Sequence, residues 1–309
     1  MKKLRVAHFF AGVGGGMLAS EILGHDSVLA VEIDPFRCQV LKERQADGWF
    51  SGCEIANSDI RDFNAGAWAG KVDCVSAGFP CQDISIAGRG AGLEGPKSGL
   101  FFSLLKAVDA IRPGMVFLEN SPTIKNRGRD RVWWELERRG YRVEDGTLAA
   151  AHVGAGHKRN RWWCLAANTD VMWKLQQDWL LADEWRRDCN DVKNVADALL
   201  KRRGPRREGS ETSRREEPQI CAKDLAAIKA ATEYTGGYNW FPVDAGICRM
   251  VDGIPPRIHG DKGARIKALG DAQVPLAAAL AWILFCESFC RKLSLEVDIN
   301  ENRGLERVL

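Results

Sequence analysis

The sequence predicts an α/β protein built on a doubly wound parallel sheet. Short β-rich runs alternate with turns and helical runs from residue 4 to about residue 167, which is typical of such a sheet. A glycine-rich turn follows the first β-rich run, and the alternation stops at about residue 168. With 309 residues, the chain can form one large domain that carries a smaller inserted one.

The predicted elements follow one another in a regular order. Strands are predicted near residues 5–9, 27–32, 72–77, 115–119 and 161–166. Helices are predicted near residues 17–23, 36–44, 100–111 and 129–138. A further apolar, helical stretch follows residue 265 and is expected to pack back on the first domain.

Composition divides the chain into four parts. Residues 1–167 hold the alternating pattern, residues 168–254 form an inserted module, residues 255–294 return to the first domain, and residues 295–309 are a polar tail. Within the insertion, residues 201–215 contain seven basic side chains against two acidic ones. This basic run is either a solvated loop or a segment that contacts phosphates, and both interpretations fit its composition.

Charge and cysteine content narrow the class of protein. The formal charge of +3 and the pI near 8.3 are compatible with DNA binding but do not demonstrate it. The ten cysteines include no C-x-x-C pair, so we expect reduced thiols and no metal site. Four glycines in residues 12–16 argue against a signal peptide, and the longest apolar stretch, 274–286, is too short to span a bilayer. We therefore expect a cytoplasmic protein without a membrane segment.

The glycine-rich turn at residues 10–15 is the first candidate binding feature. Glycines after a first strand let the backbone approach a ligand closely and aim a helix N-terminus at it. The candidate residues are Phe10, Gly12 and Gly14. A dinucleotide fingerprint would require glycine at position 17, where Met17 stands. By itself, the turn fits a purely structural role as well as a nucleotide site.

Two acidic residues follow at intervals suited to a ribose-bearing cofactor. Glu32, at the end of the second predicted strand, can accept hydrogen bonds from ribose hydroxyls, and Ile33 can pack on an adenine face. Asp59, followed by Ile60, can accept a hydrogen bond from an exocyclic amine. Considered singly, each acid is better explained as a helix cap or a surface charge. The ordered series favours the cofactor interpretation.

A thiol stands at the end of a predicted central strand, in the sequence Gly-Phe-Pro-Cys-Gln at residues 78–82. A thiolate can add to C6 of a pyrimidine and make C5 nucleophilic, provided that N3 is protonated. Glu119 can supply that proton if burial raises its pKa. Arg159 and Arg161 would lie on one face of an extended segment and reach the pyrimidine O2 or a phosphate. Without these neighbours, Cys81 would be interpreted as a buried, inert thiol.

Taken together, the motifs resemble those of the DNA (cytosine-5)-methyltransferase family over most of the chain, excepting the insertion and tail. The resemblance implies an S-adenosylmethionine-dependent methyltransferase with a Rossmann-like α/β sheet, and a small target-recognition domain at residues 168–254. It implies that Cys81 attacks a cytosine flipped out of double-stranded DNA. We also expect residues 86–99 to close over that base as a mobile loop.

The resemblance assigns roles to individual residues. Catalysis is assigned to Cys81, Glu119, Arg159 and Arg161. Binding of S-adenosylmethionine is assigned to Phe10, Gly12, Gly14, Glu32, Ile33, Asp59, Ile60, Pro80, Leu100 and Asp271. Contacts with DNA are assigned to Gln82, Ser85, Arg89, Arg202, Arg203, Trp240 and Arg249.

Three residues depart from the family pattern: Ser121, His157 and Asp271. Asp271 stands in place of an asparagine near the expected cofactor, so it bears on cofactor affinity. Two alternatives stay open: a tRNA cytosine-5 methyltransferase, and a DNA-binding regulator that has lost turnover. We expect a monomer from a bacterium or a phage-infected cell. A cognate restriction endonuclease would be a separate protein of the same restriction-modification system.

Overall fold

The computed structural model describes residues 3–80, 99–153, 159–172 and 271–305, with the backbone alone for residues 291 and 293–305. Seven strands form one sheet in the spatial order β3-β2-β1-β4-β5-β7-β6. Their bounds are Arg5–Phe9 (β1), Asp26–Glu32 (β2), Glu54–Asn57 (β3), Cys74–Gly78 (β4), Met115–Asn120 (β5), Tyr141–Ala149 (β6) and Asn160–Asn168 (β7). The predicted α/β fold is confirmed.

Helices connect the strands and cover both faces of the sheet. Their bounds are Gly15–Ile22 (α1), Pro35–Ala46 (α2), Gly99–Ile111 (α3), Ile124–Arg127 (α4), Arg129–Glu137 (α5) and Pro275–Leu305 (α6). Short 3-10 turns occur at Ala65–Trp68 and Ala150–Val153. In the part of the chain that the structure describes, no helix is both long and apolar enough to cross a membrane.

The order of the strands determines where a ligand can bind. β1 pairs in parallel with both β2 and β4, and β5 continues the parallel set beyond β4. β7 runs antiparallel to both β5 and β6. The chain winds outward from β1 to β3, then returns to start β4 on the other side of β1. This reversal opens a crevice at the carboxyl ends of β1 and β4, where open α/β sheets bind their ligands.

Alternate residues of the central strands face two separate apolar cores. In β5, Val116 and Leu118 point to the core beneath α3, whereas Met115 and Phe117 point to the core beneath α6. All six residues of β5 are buried, because helices cover both of its faces. Central strands covered in this way give a rigid base for the side chains at their ends.

Helix α6 docks the C-terminal part of the chain onto the sheet. Trp282 is 3% exposed and meets Phe117 of β5 edge to face, with 5.3 Å between the ring centroids. The same tryptophan meets His25 at 5.5 Å. The helix continues past residue 294 to Leu305, so the segment predicted as a polar tail begins within it. The domain boundaries remain predictions, and most of the predicted insertion lies outside the described residues.

The predicted strands and helices are confirmed to within a few residues at their ends, but two strands were missed. β3 is four residues long and has two exposed positions, so it lacks an apolar alternation. Most of β6 is half-buried, and it contains Gly146, which is atypical of strand interiors. Both strands depend on pairing with a neighbour rather than on their own sequence.

His25 makes the stability of the fold depend on pH. Neither ring nitrogen has a hydrogen-bond partner among the described residues, and burial lowers the pKa from 6.5 to about 4. Between pH 6.5 and pH 4, the unfolded chain therefore binds a proton that the folded chain excludes. We expect the free energy of unfolding to fall by about 3 kcal/mol over this range through His25 alone.

Urea denaturation at pH 7 and pH 4.5 measures this dependence, with His25→Leu as the comparison. The variant is expected to lose less stability on acidification than the wild-type protein does. His8, which burial also keeps neutral, contributes equally to both proteins. Equal losses in the two proteins would show that His25 does not carry the effect.

Candidate functional site

A cavity of about 530 Å³ lies at the carboxyl ends of β1, β2, β4 and β5. Its walls come from the glycine-rich turn after β1, the residues that follow β2 and β3, and the ends of β4 and β5. Residues Asp271, Ala272 and Gln273, which precede α6, form the remaining wall. The cavity thus occupies the crevice that the strand order predicts.

The glycine-rich turn is held in left-handed backbone conformations. Phe10, Gly12 and Gly14 have φ values of 54°, 59° and 91°, a region that glycine adopts easily. The backbone N–H of Gly12 donates to Oε2 of Glu32 at 2.8 Å. Phe10 and Gly12 line the cavity. Gly14 instead directly precedes α1. A Cβ at this position would lie 2.9 Å from Cδ2 of Leu41, so close packing explains the glycine.

Glu32 and Ile33 form the second wall. Glu32 is 5% exposed, and its Oε1 accepts a bond from the backbone N–H of Asp34 at 3.0 Å. A carboxylate has about four acceptor sites, so two remain for hydroxyl donors. Ile33 is 59% exposed beside the cavity, which is unusual for a large aliphatic side chain. An apolar face beside a buried acid fits a nucleoside.

Asp59 and Ile60 also line the cavity, but Asp59 is already engaged. The side chain of Arg61 lies against both carboxylate oxygens, and its backbone N–H donates to Oδ1 at 2.9 Å. This hydrogen bonding lowers the pKa of Asp59. Arg61 has a 64% exposed side chain and was not anticipated from the sequence. An exocyclic amine would have to share Asp59 with it.

The ends of β4 and β5 are tied together. The side-chain amide of Asn120 donates to the backbone oxygen of Phe79 at 3.2 Å, and its Oδ1 accepts from the N–H of Ser121 at 2.7 Å. These bonds hold Pro80 and Ser121 at the cavity wall. Leu100, at the start of α3, also lines the cavity.

Cys81 follows Pro80 directly but lies outside the described residues. The same holds for every residue assigned to DNA contact, namely Gln82, Ser85, Arg89, Arg202, Arg203, Trp240 and Arg249. His157 and residues 86–98 are likewise outside the described part of the chain.

Glu119, at the end of β5, is the buried acid of the cavity. It is 8% exposed, and its Oε1 lies 2.7 Å from Nε of Arg161. Burial raises its pKa to about 7, although the charges of Arg161 and Arg159 act in the opposite direction. A carboxyl group with this pKa can both hold and release a proton near neutral pH.

The two predicted arginines separate in the structure. Arg161, in β7, lines the cavity and pairs with Glu119. Arg159 precedes β7 with a φ of 25°, and its guanidinium donates to the backbone oxygen of Ala272. Burial lowers its pKa, as does the nearby charge of Arg161. The predicted extended segment begins only at Asn160, so Arg159 supports the C-terminal wall rather than facing the cavity.

Asp271 does not stand as an isolated charge. Its Oδ2 lies 2.5 Å from Nη2 of Arg37, whose side chain is 16% exposed. Arg37 sits in the first turn of α2, and its Nε also lies 3.5 Å from Asp34. The sequence contained no signal for this pairing, because residues 37 and 271 are far apart along the chain. Arg37 therefore compensates the charge that distinguishes Asp271 from an asparagine.

Gln273 is a further cavity residue that sequence reasoning missed. A Cβ on Gly15 would collide with its backbone oxygen, and a Cβ on Gly16 would lie 2.7 Å from its Oε1. The two glycines at the start of α1 are thus explained by the close approach of this segment. His8 also reaches the cavity, from the floor, where it is 2% exposed and contacts Ser27 at 3.1 Å.

The family model of C-5 cytosine-specific DNA methylase matches residues 4–220. The Type II methyltransferase M.CviJI of Paramecium bursaria Chlorella virus IL3A is 33% identical over 168 residues, which are 54% of this chain and 44% of that protein. The Type II methyltransferase M.Eco47II of Escherichia coli is 29% identical over 201 residues, which are 63% of this chain and 46% of that protein.

The matched region is therefore less than half the length of these two relatives. Among solved structures, the Dnmt2 methyltransferase of S. pombe is 19% identical and aligns with a TM-score of 0.44. That alignment covers 56% of this chain and 54% of the S. pombe chain.

Proposed function

Since the chain belongs to the C-5 cytosine-specific DNA methylase family, we propose that it methylates C5 of a cytosine in a specific sequence of double-stranded DNA. The observation that carries this proposal is the buried carboxyl of Glu119, held by Arg161 at the wall of the cavity. The described end of β4 meets the same cavity, and the next residue along the chain is Cys81.

Cys81 is the proposed nucleophile. Its thiolate sulfur forms a bond to C6 of the cytosine ring, which pushes electron density toward C5 and N3. Phe79 and Pro80 lead directly to it, and the Asn120 bond to Phe79 keeps this strand end beside β5. The cytosine must leave the duplex stack before either group can reach it.

Glu119 is the proposed acid. Its carboxyl proton moves to N3 of the cytosine as the sulfur attacks C6, so that the O–H bond breaks while the N–H bond forms. The raised pKa supports this role, because a carboxyl with an ordinary pKa would be almost fully ionised at neutral pH. Arg161 then stabilises the carboxylate that remains.

The cavity also has the features of a site for S-adenosylmethionine. The exposed Ile33 offers an apolar surface, the two spare acceptor positions of Glu32 suit ribose hydroxyls, and Gly12 allows close backbone approach. A cavity of about 530 Å³ is large enough for a ligand of this class. When bound, S-adenosylmethionine would supply the methyl group that C5 accepts.

After methyl transfer, the C5 proton leaves to a base, for which water is sufficient, the Cys81 sulfur departs from C6 as a thiolate, and the N3 proton returns to the carboxylate of Glu119. The ring then regains its aromatic electron system as 5-methylcytosine. Arg159 keeps its predicted catalytic role, since its positive charge acts on Glu119. It holds the Asp271–Gln273 wall through its bond to Ala272.

Residues 168–254 are proposed to form the target-recognition domain, and residues 86–99 a loop that closes over the flipped base. The DNA contacts assigned to Gln82, Ser85, Arg89 and the basic run 201–215 belong to this proposal. A monomer also belongs to this proposal.

Bisulfite sequencing of DNA from methylation-free bacteria that express the protein tests the proposal. In cells that express the wild-type protein, we expect the cytosines within one short sequence to be protected from bisulfite conversion. In cells that express the Cys81→Ala form, we expect no cytosine to be protected. If soluble wild-type protein protects no DNA cytosine, transfer assays with tRNA separate an RNA methyltransferase from a regulator without turnover. Protection of DNA by the Cys81→Ala form would exclude Cys81 as the nucleophile.

A further inference from the structure

Residues 271–274 form a segment that is anchored on three sides of the cavity. Arg37 of α2 pairs with Asp271, Arg159 donates to the oxygen of Ala272, and Gly15 packs directly under the backbone of Gln273. Ionic, hydrogen-bonded and close-packed contacts together define the position of one side chain, that of Gln273. A side chain held so firmly can act on groups across the cavity.

The amide of Gln273 lies between the glycine-rich turn and the catalytic acid. A Cβ on Gly78 would lie 3.1 Å from Nε2 of Gln273. The same Cβ would lie 3.0 Å from Oε2 of Glu119. The absence of a side chain at Gly78 thus leaves these two polar atoms facing the same small space. The other end of the amide, Oε1, lies toward Gly16.

The Oε1 atom of Gln273 is buried and has no hydrogen-bond partner among the described residues. Buried polar atoms without partners are rare, because each one costs free energy. An uncommitted amide beside a titrating carboxyl therefore suggests a role in the reaction rather than in folding. Arg161 already occupies Oε1 of Glu119 and leaves Oε2 for a second donor.

We propose that Gln273 is a positioning residue for Glu119. It donates Nε2–H to Oε2 of Glu119 and so stabilises the carboxylate that remains after Glu119 has given its proton to N3 of the cytosine. This inference rests on the proposed function. It places Glu119 between two donors, Arg161 at Oε1 and Gln273 at Oε2. The two charged groups that act on Glu119 in the described part of the chain are Arg161 and Arg159, both cationic. Gln273 adds a neutral donor to them.

The Gln273→Met variant tests the role of the amide. Methionine keeps the length of the side chain but removes both hydrogen-bonding groups. Loss of a donor to the carboxylate raises the pKa of Glu119, so the alkaline limb of the kcat/KM profile moves up by about one pH unit. Because the donor acts on the ionised product of proton transfer, kcat falls roughly tenfold while KM for DNA is retained.

Val274→Ala serves as the matched control. It loosens the packing of the same segment but leaves the amide in place, so it is expected to keep the wild-type alkaline limb. A Gln273→Met profile that coincides with the wild-type profile, with unchanged kcat, would overturn the inference. An equal shift in Val274→Ala would also overturn it, since the effect would then come from the segment and not from the amide.

A second readout does not depend on turnover. In protein labelled with 13C-carboxyl glutamate, the Glu119 resonance is assigned by its loss in Glu119→Gln, and its titration gives the pKa directly. We expect the same upward shift in Gln273→Met, or in Gln273→Leu if the methionine variant does not fold. Absence of methyl transfer by the wild-type protein would contradict the proposed function, whereas an unshifted titration would contradict the role of Gln273.

Discussion

Replacing Glu119 by Gln is expected to lower kcat for methyl transfer by roughly 10²–10⁴-fold, the usual contribution of a positioned general acid. Glutamine is nearly isosteric and keeps an oxygen for Arg161, but it cannot deliver a proton to N3. The wild-type alkaline limb near pH 7, where Glu119 loses its proton, is expected to disappear in the variant. Transfer of a labelled methyl group to DNA between pH 5.5 and pH 9 measures both effects.

Glu135 is the matched control for this variant. It is also a buried glutamate held by arginines, with Arg138 at 2.6 Å, but it lies in α5 and does not line the cavity. Glu135→Gln is expected to keep the alkaline limb and a kcat within a few-fold of the wild-type value. A Glu119→Gln variant with near wild-type kcat at every pH would remove Glu119 from its proposed role.

Replacing Trp282 by Ala is expected to destabilise the protein by about 3–5 kcal/mol, the cost typical of removing a buried aromatic side chain. The side chain lies between Phe117 and His25, so its removal leaves a cavity between α6 and the sheet. The thermal midpoint is expected to fall by roughly 10 °C. Since residues 271–274 lead into α6, binding of S-adenosylmethionine is expected to weaken as well.

Urea denaturation and calorimetric titration with S-adenosylmethionine measure the two consequences. Trp134→Ala is the control, because Trp134 is 51% exposed on α5 and away from the cavity. Its stability is expected to change by less than about 1 kcal/mol, since it loses only exposed contacts with Arg131 and Arg138. Similar losses in both variants would mean that α6 does not depend on Trp282 for docking.

The contrast between β5 and β6 explains how much of the fold the sequence predicts. β5 is buried on both faces, so its own residues must be apolar and it is recognisable locally. Most of β6 is only half-buried, and it is defined by its pairing with β7. Elements that carry their own apolar pattern are predictable, and elements that depend on a neighbour are not.

The same distinction holds for the cavity. The glycine-rich turn, Glu32, Ile33, Asp59, Ile60, Pro80, Leu100, Glu119 and Arg161 line or adjoin it as the sequence suggested. Most of these residues were predictable because they lie at or next to the end of a strand, where the fold class alone brings side chains together, whereas Leu100 begins α3. Gly14 faces Leu41 and Arg159 donates to Ala272, so neither lines the cavity, and their assigned roles stay predictions.

By itself, the sequence determined the α/β class, the family and which residues stand at the strand ends, because these depend on local patterns and on residue type. Only the tertiary structure decided that Arg37 neutralises Asp271, that Arg61 already occupies Asp59, and that Gln273 lies beside Glu119. The pairs Arg37–Asp271 and Gln273–Glu119 join residues more than 150 positions apart, and no spacing rule connects them. Their contacts exist because α6 docks on the sheet and carries residues 271–274 to the cavity.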